Sequence, residues 1–453
     1  MKKRNLIITV VVVVVIVGVV IGLVVSRPGG GPTPTAPTKV VLGTVLPETG
    51  IFSGFGQQLF GMQKAVADWN AVYGGMYLSK WNVTVPVQLV DKDCQSIFGN
   101  VGPLATTLAT TNKVNAFLAP NAPTDLHDPI SVVANQYHVP EIICGGPFEP
   151  WYFGMRSNST WPYTWFAGFA IGTPQPAPRN VPGYTMVDSW FSYMDAVGAH
   201  NNTNNIVGVF ASTDADGIGW YATFPGILTA HNYTVANVSG QFSIGTTDFS
   251  TIINGWKTAN VTIIWGNCPG ADFGNLYRAC YEASFRPKIV CAARAALFPV
   301  DVASWGTTPP LGWGVGCEQW WSANYSPANN FTGIGNRTAA SLAADFVNAT
   351  GQPLNLAIGS GYMAAQVMLD AIHRAGDVNA TLVNAAMATT NLNTIDGWVN
   401  FDPTTQFSAV PLAFGQWFFN NVTSKFTYYT TASVLGIIPT QAAPLFPVST
   451  LYP

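Results

Sequence analysis

Residues able to do chemistry are sparse in this sequence. Asp91 and Asp93 flank a lysine after an apolar run, at a spacing that suits a carboxylate pair, although a turn with helix capping explains them more simply. Gly54-Phe55-Gly56 ahead of a helical pattern could bring backbone N–H groups to a phosphate. No Lys-Ser/Thr follows, and a tight turn accounts for it better. The five histidines, His127, His138, His200, His231 and His373, show no metal-ligand spacing, and HExxH, GxSxG, CxxC and GxxxxGK[ST] are all missing. No catalytic residue, metal or cofactor is therefore assigned, and the chain is not expected to be an enzyme. What remains are isolated polar residues between apolar runs.

Those residues need elements to position them. Residues 40–46 are apolar or small and read as a strand. Leu59, Met62, Val66 and Trp69 then fall on one helical face. Further strands are expected at 83–90, 116–119, 141–144, 206–210, 262–265, 288–290 and 312–316, with helices at 101–108 and 129–137 and in the stretches between the later strands. The stripe Tyr362, Val367, Leu369 and Ile372 reads as helix core. Strands alternating with helices predict an α/β fold of parallel sheets flanked by helices. In such sheets the binding crevice lies at the carboxyl ends of the strands. That rule selects six loops: 47–50, 120–124, 145–147 with Gly145 and Gly146, 212–217, 267–272 and 293–297.

The termini and composition set the surroundings. Met1-Lys2-Lys3-Arg4 precedes an apolar run at 6–25, long enough for one membrane span with its basic end inside. A cleaved signal peptide is the alternative, but the run is long and no Ala-x-Ala site follows. Residues 1–27 are thus expected to anchor the chain, and 28–38, rich in Pro, Gly and Thr, to form a stalk. The remainder is long enough for two lobes. Charged residues make up 9% of the sequence, against about 25% in an ordinary soluble domain. Twelve Asn-x-Ser/Thr sequons occur, at Asn82, Asn158, Asn201, Asn232, Asn237, Asn260, Asn324, Asn330, Asn336, Asn348, Asn379 and Asn421, and suggest a surface glycoprotein. The net charge of −3 argues against nucleic acid as a partner. A surface poor in carboxylates loses little charge as pH falls, so the composition suits acidic surroundings.

Val41-Leu42-Gly43-Thr44-Val45-Leu46-Pro47-Glu48-Thr49-Gly50, continuing to Phe55-Gly56-Gln57-Gln58, resembles the opening of type I periplasmic solute-binding proteins of the branched-chain (hydrophobic) amino-acid ABC transporters. Leu89-Val90-Asp91-Lys92-Asp93-Cys94, Val139-Pro140-Glu141-Ile142-Ile143, Asp214-Ala215-Asp216-Gly217, Arg286-Pro287-Lys288-Ile289-Val290 and Glu318-Gln319-Trp320-Trp321 resemble the same family in order and spacing. The resemblance implies two Rossmann-like lobes, residues 39–167 with 323–400 and residues 168–322 with 401–445. Three crossovers near 165–168, 320–324 and 396–403 would join them, and the lobes would close on a solute.

Carried over, the resemblance puts Phe55, Asn121, Thr124 (where the family has a serine), Gly145 and Gly146 at the cleft from the first lobe. Asp214, Asp216, the 268–272 loop with Asp272, and Arg294 come from the second, and Trp320 stacks on the ligand or wedges the hinge. Arg294 stands near a position where amino-acid-binding members carry a glutamate. A guanidinium only donates hydrogen bonds, so it would favour a carboxylate or carbonyl, or else form a salt bridge at the lobe surface. Cys94 and Cys144, at strand ends of the first lobe, are candidates for a disulfide, and the pairing of Cys268, Cys280, Cys291 and Cys317 stays open. The expected function is a monomeric solute receptor on the outer face of the membrane, docking to an ABC permease. A surface glycoprotein or a sensory ectodomain without a transport role is the alternative.

Overall fold

Every residue of β1 (Val40–Leu46) is buried. A strand hidden on both faces belongs inside a parallel sheet covered by helices. The computed structural model describes residues 35–156, 161–173 and 179–451. After β1 come α1 (Gln58–Tyr73), β2 (Met76–Leu78), β3 (Val83–Val85), β4 (Val87–Asp93), α2 (Phe98–Thr107), β5 (Ala116–Ala119), α3 (Thr124–Tyr137), β6 (Glu141–Pro147) and β7 (Thr164–Phe169). The middle of the chain supplies α4 (Met186–Ala196), β8 (Ile206–Ser212), α5 (Ala215–Ala230), β9 (Thr234–Val235), β10 (Gln241–Phe242), β11 (Ile263–Asn267), α6 (Gly270–Glu282), β12 (Ile289–Ala293) and β13 (Gly316–Gln319). Last come α7 (Ala339–Thr350), α8 (Ala357–Ala375), α9 (Ala380–Ala388), β14 (Asn391–Thr394), β15 (Gly397–Asn400), β16 (Phe407–Ala409), β17 (Ala413–Asn420) and β18 (Lys425–Ala432).

Two large sheets define two lobes. Lobe 1 holds a sheet in the order β16-β7-β6-β5-β1-β4, parallel throughout. Lobe 2 holds β10-β8-β11-β12-β13-β17-β18 with β9 beside β8. It is parallel as far as β13 and antiparallel for the last two strands. The central helix of lobe 1 is α8, which packs on α1 and on β5 and β6. Gly61 of α1 permits that approach, since a Cβ there would lie 1.9 Å from the Ile358 carbonyl oxygen. Lobe 2 is filled by indoles: Trp190, Trp256, Trp265, Trp305 and Trp417 are all but completely buried. Burying a large apolar side chain contributes about 1.5–3 kcal/mol, so these rings supply much of the core of that lobe.

The strand order moves the expected boundaries. Residues 165–168 are not a crossover but part of β7, and residues 396–403 hold the β15 strand of a hairpin with β14. β16 then adds to the edge of β7, which places 401–409 with lobe 1 rather than lobe 2. The chain passes between lobes after β7, after β13, and between β16 and β17. The first and third passages run together, with Val410 N–H on the Gly168 carbonyl and Leu412 N–H on the Gly183 carbonyl. The strand expected at 312–316 begins only at Gly316. Leu311, Trp313 and Val315 instead donate to carbonyls two or three residues back, in successive turns. The strand expected at 83–90 breaks at Pro86 into a hairpin partner and a sheet strand.

All six cysteines are free and buried. The expected Cys94–Cys144 disulfide is excluded by strand order. β5 and β1 lie between β6, which carries Cys144, and β4, after which Cys94 follows. Three strand spacings at about 4.8 Å put them roughly 14 Å apart, against less than about 7 Å between Cα atoms in a disulfide. Among the described residues no helix is long and apolar enough to cross a membrane. The expected span at 6–25 and residues 28–34 of the expected stalk lie outside the described residues.

Candidate functional site

The strand ends of lobe 1 meet those of lobe 2 across a cleft. On the lobe 1 side, one buried amide organises the loop after β5. Gln58 Nε2 donates to the Phe55 carbonyl (2.8 Å) and the Asn121 carbonyl (2.7 Å), while its Oε1 accepts from Asn121 N–H at 2.7 Å. Phe55 and Asn121 are thereby held at fixed places in the cleft wall. The Asn121 side chain completes the link, its Nδ2 donating to the Gly145 carbonyl (3.1 Å) and its Oδ1 accepting from Trp320 Nε1 (3.2 Å). Thr124 is the first residue of α3, and its hydroxyl is buried without a protein partner. A free hydroxyl at the N-terminus of a fourteen-residue helix suits an anionic group. Gly146 lies beneath, against Phe166 and His127.

On the lobe 2 side the loops after β8, β11 and β12 bring a charge cluster together. Arg294 Nη1 donates to Asp214 Oδ2 at 2.6 Å and lies 3.2 Å from Asp216 Oδ2, and Nη2 donates to Ser212 Oγ at 2.7 Å. Asn267 and Trp220 donate to the two oxygens of Asp216. Burial works against ionising Asp214, but Arg294 outweighs it and holds the carboxyl below its ordinary pKa. At Asp216 burial wins and the pKa is raised. Arg294 has φ +56°, a backbone conformation that costs energy for a side chain of this size. It is thus the centre of a buried ion network, not of a surface salt bridge, and only its Nε–H remains without a partner.

The lobes touch directly. Phe55 of lobe 1 meets Phe298 of lobe 2 edge to face at 4.7 Å, and the Arg294 guanidinium sits 5.8 Å from the Phe52 ring. The cleft closes down to a cavity of about 20 Å³. Of the expected site residues, Phe55, Asn121, Asp216, Arg294 and Trp320 line it. Thr124, Gly145, Gly146, Asp214 and Asp272 stand behind the wall. Asp272 accepts from Gly245 N–H (3.0 Å), and burial raises its pKa. Pro147 and Leu297, from the expected loops 145–147 and 293–297, also line it, as do Phe169, Trp220 and Glu318, which lie outside the six loops. Phe169 stacks on Trp320 at 6.1 Å, so one wall of the cavity is aromatic. Glu318 is buried, and burial pushes its carboxyl up to about 7. Among the described residues no group of acid, histidine or cysteine side chains is arranged to hold a metal ion.

A second buried polar row runs under α3. His127 Nδ1 lies 2.9 Å from Asp128 Oδ1, with both side chains buried, and burial raises Asp128 to about 6. Thr164 Oγ1 donates to Glu141 Oε2 at 2.9 Å and accepts from Asn135 Nδ2 at 2.9 Å, and burial pushes Glu141 up to about 8.

A sequence model of the family described as periplasmic binding protein matches residues 39–421. No curated protein sequence matches the chain. Among solved structures, a leucine-binding protein of Thermotoga maritima is similar at 19% identity and TM-score 0.66, over 87% of this chain and 99% of that one. A branched-chain amino-acid substrate-binding protein of Streptococcus pneumoniae, in complex with isoleucine, is similar at 15% identity and TM-score 0.65, over 87% and 99%. A solute-binding protein of an ABC transporter of Rhodopseudomonas palustris, in complex with 4-hydroxybenzoate, is similar at 15% identity and TM-score 0.64, over 88% and 99%. At these identities the likeness is one of fold.

Proposed function

The chain belongs to the periplasmic binding protein family, and from that premise we propose that it is the solute receptor of an ABC importer, acting outside the cell. The observation that carries this reading is the pairing of two parallel-sheet lobes whose strand-end loops meet around a cavity with one aromatic wall and a few aimed polar groups, a space that at about 20 Å³ admits a solute only when the lobes part. Binding sites of this kind are concave, mostly apolar, and supplied with a small number of placed polar groups.

The polar groups set the solute class. The α3 N-terminus, which follows Ala122 and Pro123 of the cavity wall, offers backbone N–H donors to a carboxylate or carbonyl, with Thr124 behind it. Asp216 and Glu318 at the opposite wall offer acceptors to an N–H or O–H group. Arg294 is engaged by Asp214 and Asp216, so it shapes the wall and has only Nε–H to offer a solute. The solute is therefore a small amphipathic molecule with an anionic end, a donor group and an apolar or aromatic body, such as an amino acid or a hydroxylated aromatic acid. Phe55, Asn121, Asp216 and Trp320 touch it, and Gly145, Gly146, Asp214 and Asp272 support those that do. The N-terminal run at 6–25 anchors the receptor at the membrane, and the stalk keeps it close to its permease, raising its local concentration there.

Thermal-shift screening of the chain from residue 39 onward against amino acids, aromatic acids, amides and sugars tests the reading. A binding compound at a hundred times its Kd stabilises by about 2.7 kcal/mol. A full screen without one stabilising compound would sink it.

A further inference from the structure

Eleven of the twelve sequon asparagines fall among the described residues, and all eleven are exposed. Asparagine as a residue type does not enforce this here, because Asn121, Asn267 and Asn355 are buried and Asn70, Asn115 and Asn135 are half-buried. None of the eleven lies in the strand-end loops that form the cleft. Three of them, Asn82, Asn330 and Asn336, surround one groove of about 650 Å³. It lies at the end of lobe 1 away from the cleft: α1 and α8 begin beside Gln58 and Gly54, and their last turns supply Trp69, Tyr73 and His373 to the groove.

The three sequons are tied to the groove by separate contacts. The Asn336 side chain lines it, Thr332 of the Asn330 sequon lines it, and Tyr77 in its wall donates its hydroxyl to Asn82 Oδ1 at 3.0 Å. All three asparagines have positive φ (54°, 47° and 64°), which places them at turn tips. The groove also exposes apolar surface that a chain with 9% charged residues does little to screen: Val72, Tyr73 and Tyr77 are 50%, 56% and 41% exposed. Tyrosine and tryptophan faces rimmed by amides and hydroxyls match a saccharide, whose C–H faces pack on rings while its hydroxyls find polar partners.

We propose that Asn82, Asn330 and Asn336 carry N-linked saccharides that lie over this aromatic groove. In the transfer, the amide Nδ2 forms a bond to the anomeric carbon of a glycosyl phosphate or diphosphate donor. The bond from that carbon to the phosphate oxygen breaks, the phosphate leaves with the electron pair, and the amide nitrogen gives up one proton. A separate transferase brings the donor. The saccharides add polar surface where the chain has few charges, and they leave the cleft loops bare.

Glycopeptide mass spectrometry on the protein purified from its own producing cells tests the attachment, and nitration of Tyr73 and Tyr77 tests the seating. Peptides bearing Asn82, Asn330 and Asn336 are expected to carry saccharide. Both tyrosines are expected to react several-fold more slowly than in a T84V/T332V/N336G variant made in the same cells, which lacks all three sequons. Glycine suits the positive φ at 336 and valine suits strand position 84. Unmodified asparagines in the parent overturn the proposal even if the variant fails to fold. Equal tyrosine reactivity in parent and variant overturns the seating. Neither readout involves solute binding, so the result is independent of the receptor reading.

Discussion

Replacing Glu141 by glutamine asks whether lobe 1 is built around a neutral carboxyl. Glu141 opens β6 with no solvent exposure, Thr164 Oγ1 donates to one of its oxygens, and burial lifts its pKa from 4.5 to about 8. Such a group keeps its proton in the folded state and loses it in the unfolded one. Its favourable contribution is therefore complete below the unfolded pKa of 4.5 and disappears as pH rises toward 8. Between pH 4.5 and pH 7 the loss is roughly 3 kcal/mol, at about 1.4 kcal/mol per pH unit. Glutamine has nearly the same shape, can accept from Thr164, and carries no titrating proton. Urea unfolding followed by tryptophan fluorescence should find E141Q close to the parent at pH 4.5 and more stable by about 3 kcal/mol at pH 7. Parallel loss of stability in both proteins would refute the reasoning, since Glu141 would then titrate alike in both states. Asp128 and Glu318, raised to about 6 and about 7, contribute with the same sign. The suitability for acidic surroundings suggested by composition thus gains an interior cause: buried carboxyls that fold in their protonated form.

Other perturbations have equally definite outcomes. Arg294→Ala leaves Asp214 and Asp216 buried without a counter-charge and should cost about 3–5 kcal/mol in denaturant unfolding; a variant within 1 kcal/mol of the parent would mean the cluster is hydrated. Gly54→Ala places a methyl 2.3 Å from the Phe298 ring of the opposite lobe. It should weaken binding of any solute found by the screen about tenfold or more by opposing closure, while small-angle scattering shows a more open form; unchanged affinity would show that this contact does not govern closure. Thiol titration of the unreduced, denatured chain should find six thiols, and reductant should leave the melting temperature unchanged. Fewer than six would contradict the free state of the cysteines, and a disulfide-linked peptide joining Cys94 to Cys144 would contradict the strand order that keeps them apart.

Local pattern and family resemblance located most of the cleft. The rule that ligands bind at the carboxyl ends of parallel strands drew attention to loops 120–124, 212–217 and 293–297, and residues from each now line the cavity. That rule needs only the strands, and strands such as 40–46 declare themselves because a doubly buried strand must be apolar along its whole length. Positions reached by chain crossing were not legible. Phe169 and Glu318 enter the cavity because β7 and β13 end at the passages between lobes, and no local pattern marks a strand as last in its lobe. The return of β16 to β7 was hidden for the same reason: a three-residue strand has too few side chains to show a period.

The sequence by itself determined the α/β class, the two-lobed family resemblance, the absence of catalytic motifs, and the positions at which a saccharide can be attached. These follow from side-chain periodicity, motif spacing and residue chemistry, which are properties of neighbours along the chain. Only the tertiary structure decided what Arg294 pairs with, whether Cys94 and Cys144 can meet, which carboxyls are buried, and which sequons share a groove. Each depends on distances between residues far apart in sequence: 80 positions separate Arg294 from Asp214, and two intervening strands keep Cys94 from Cys144. Electrostatic energies and desolvation depend on distance and burial, so folding had to bring the charges together before their roles could be read.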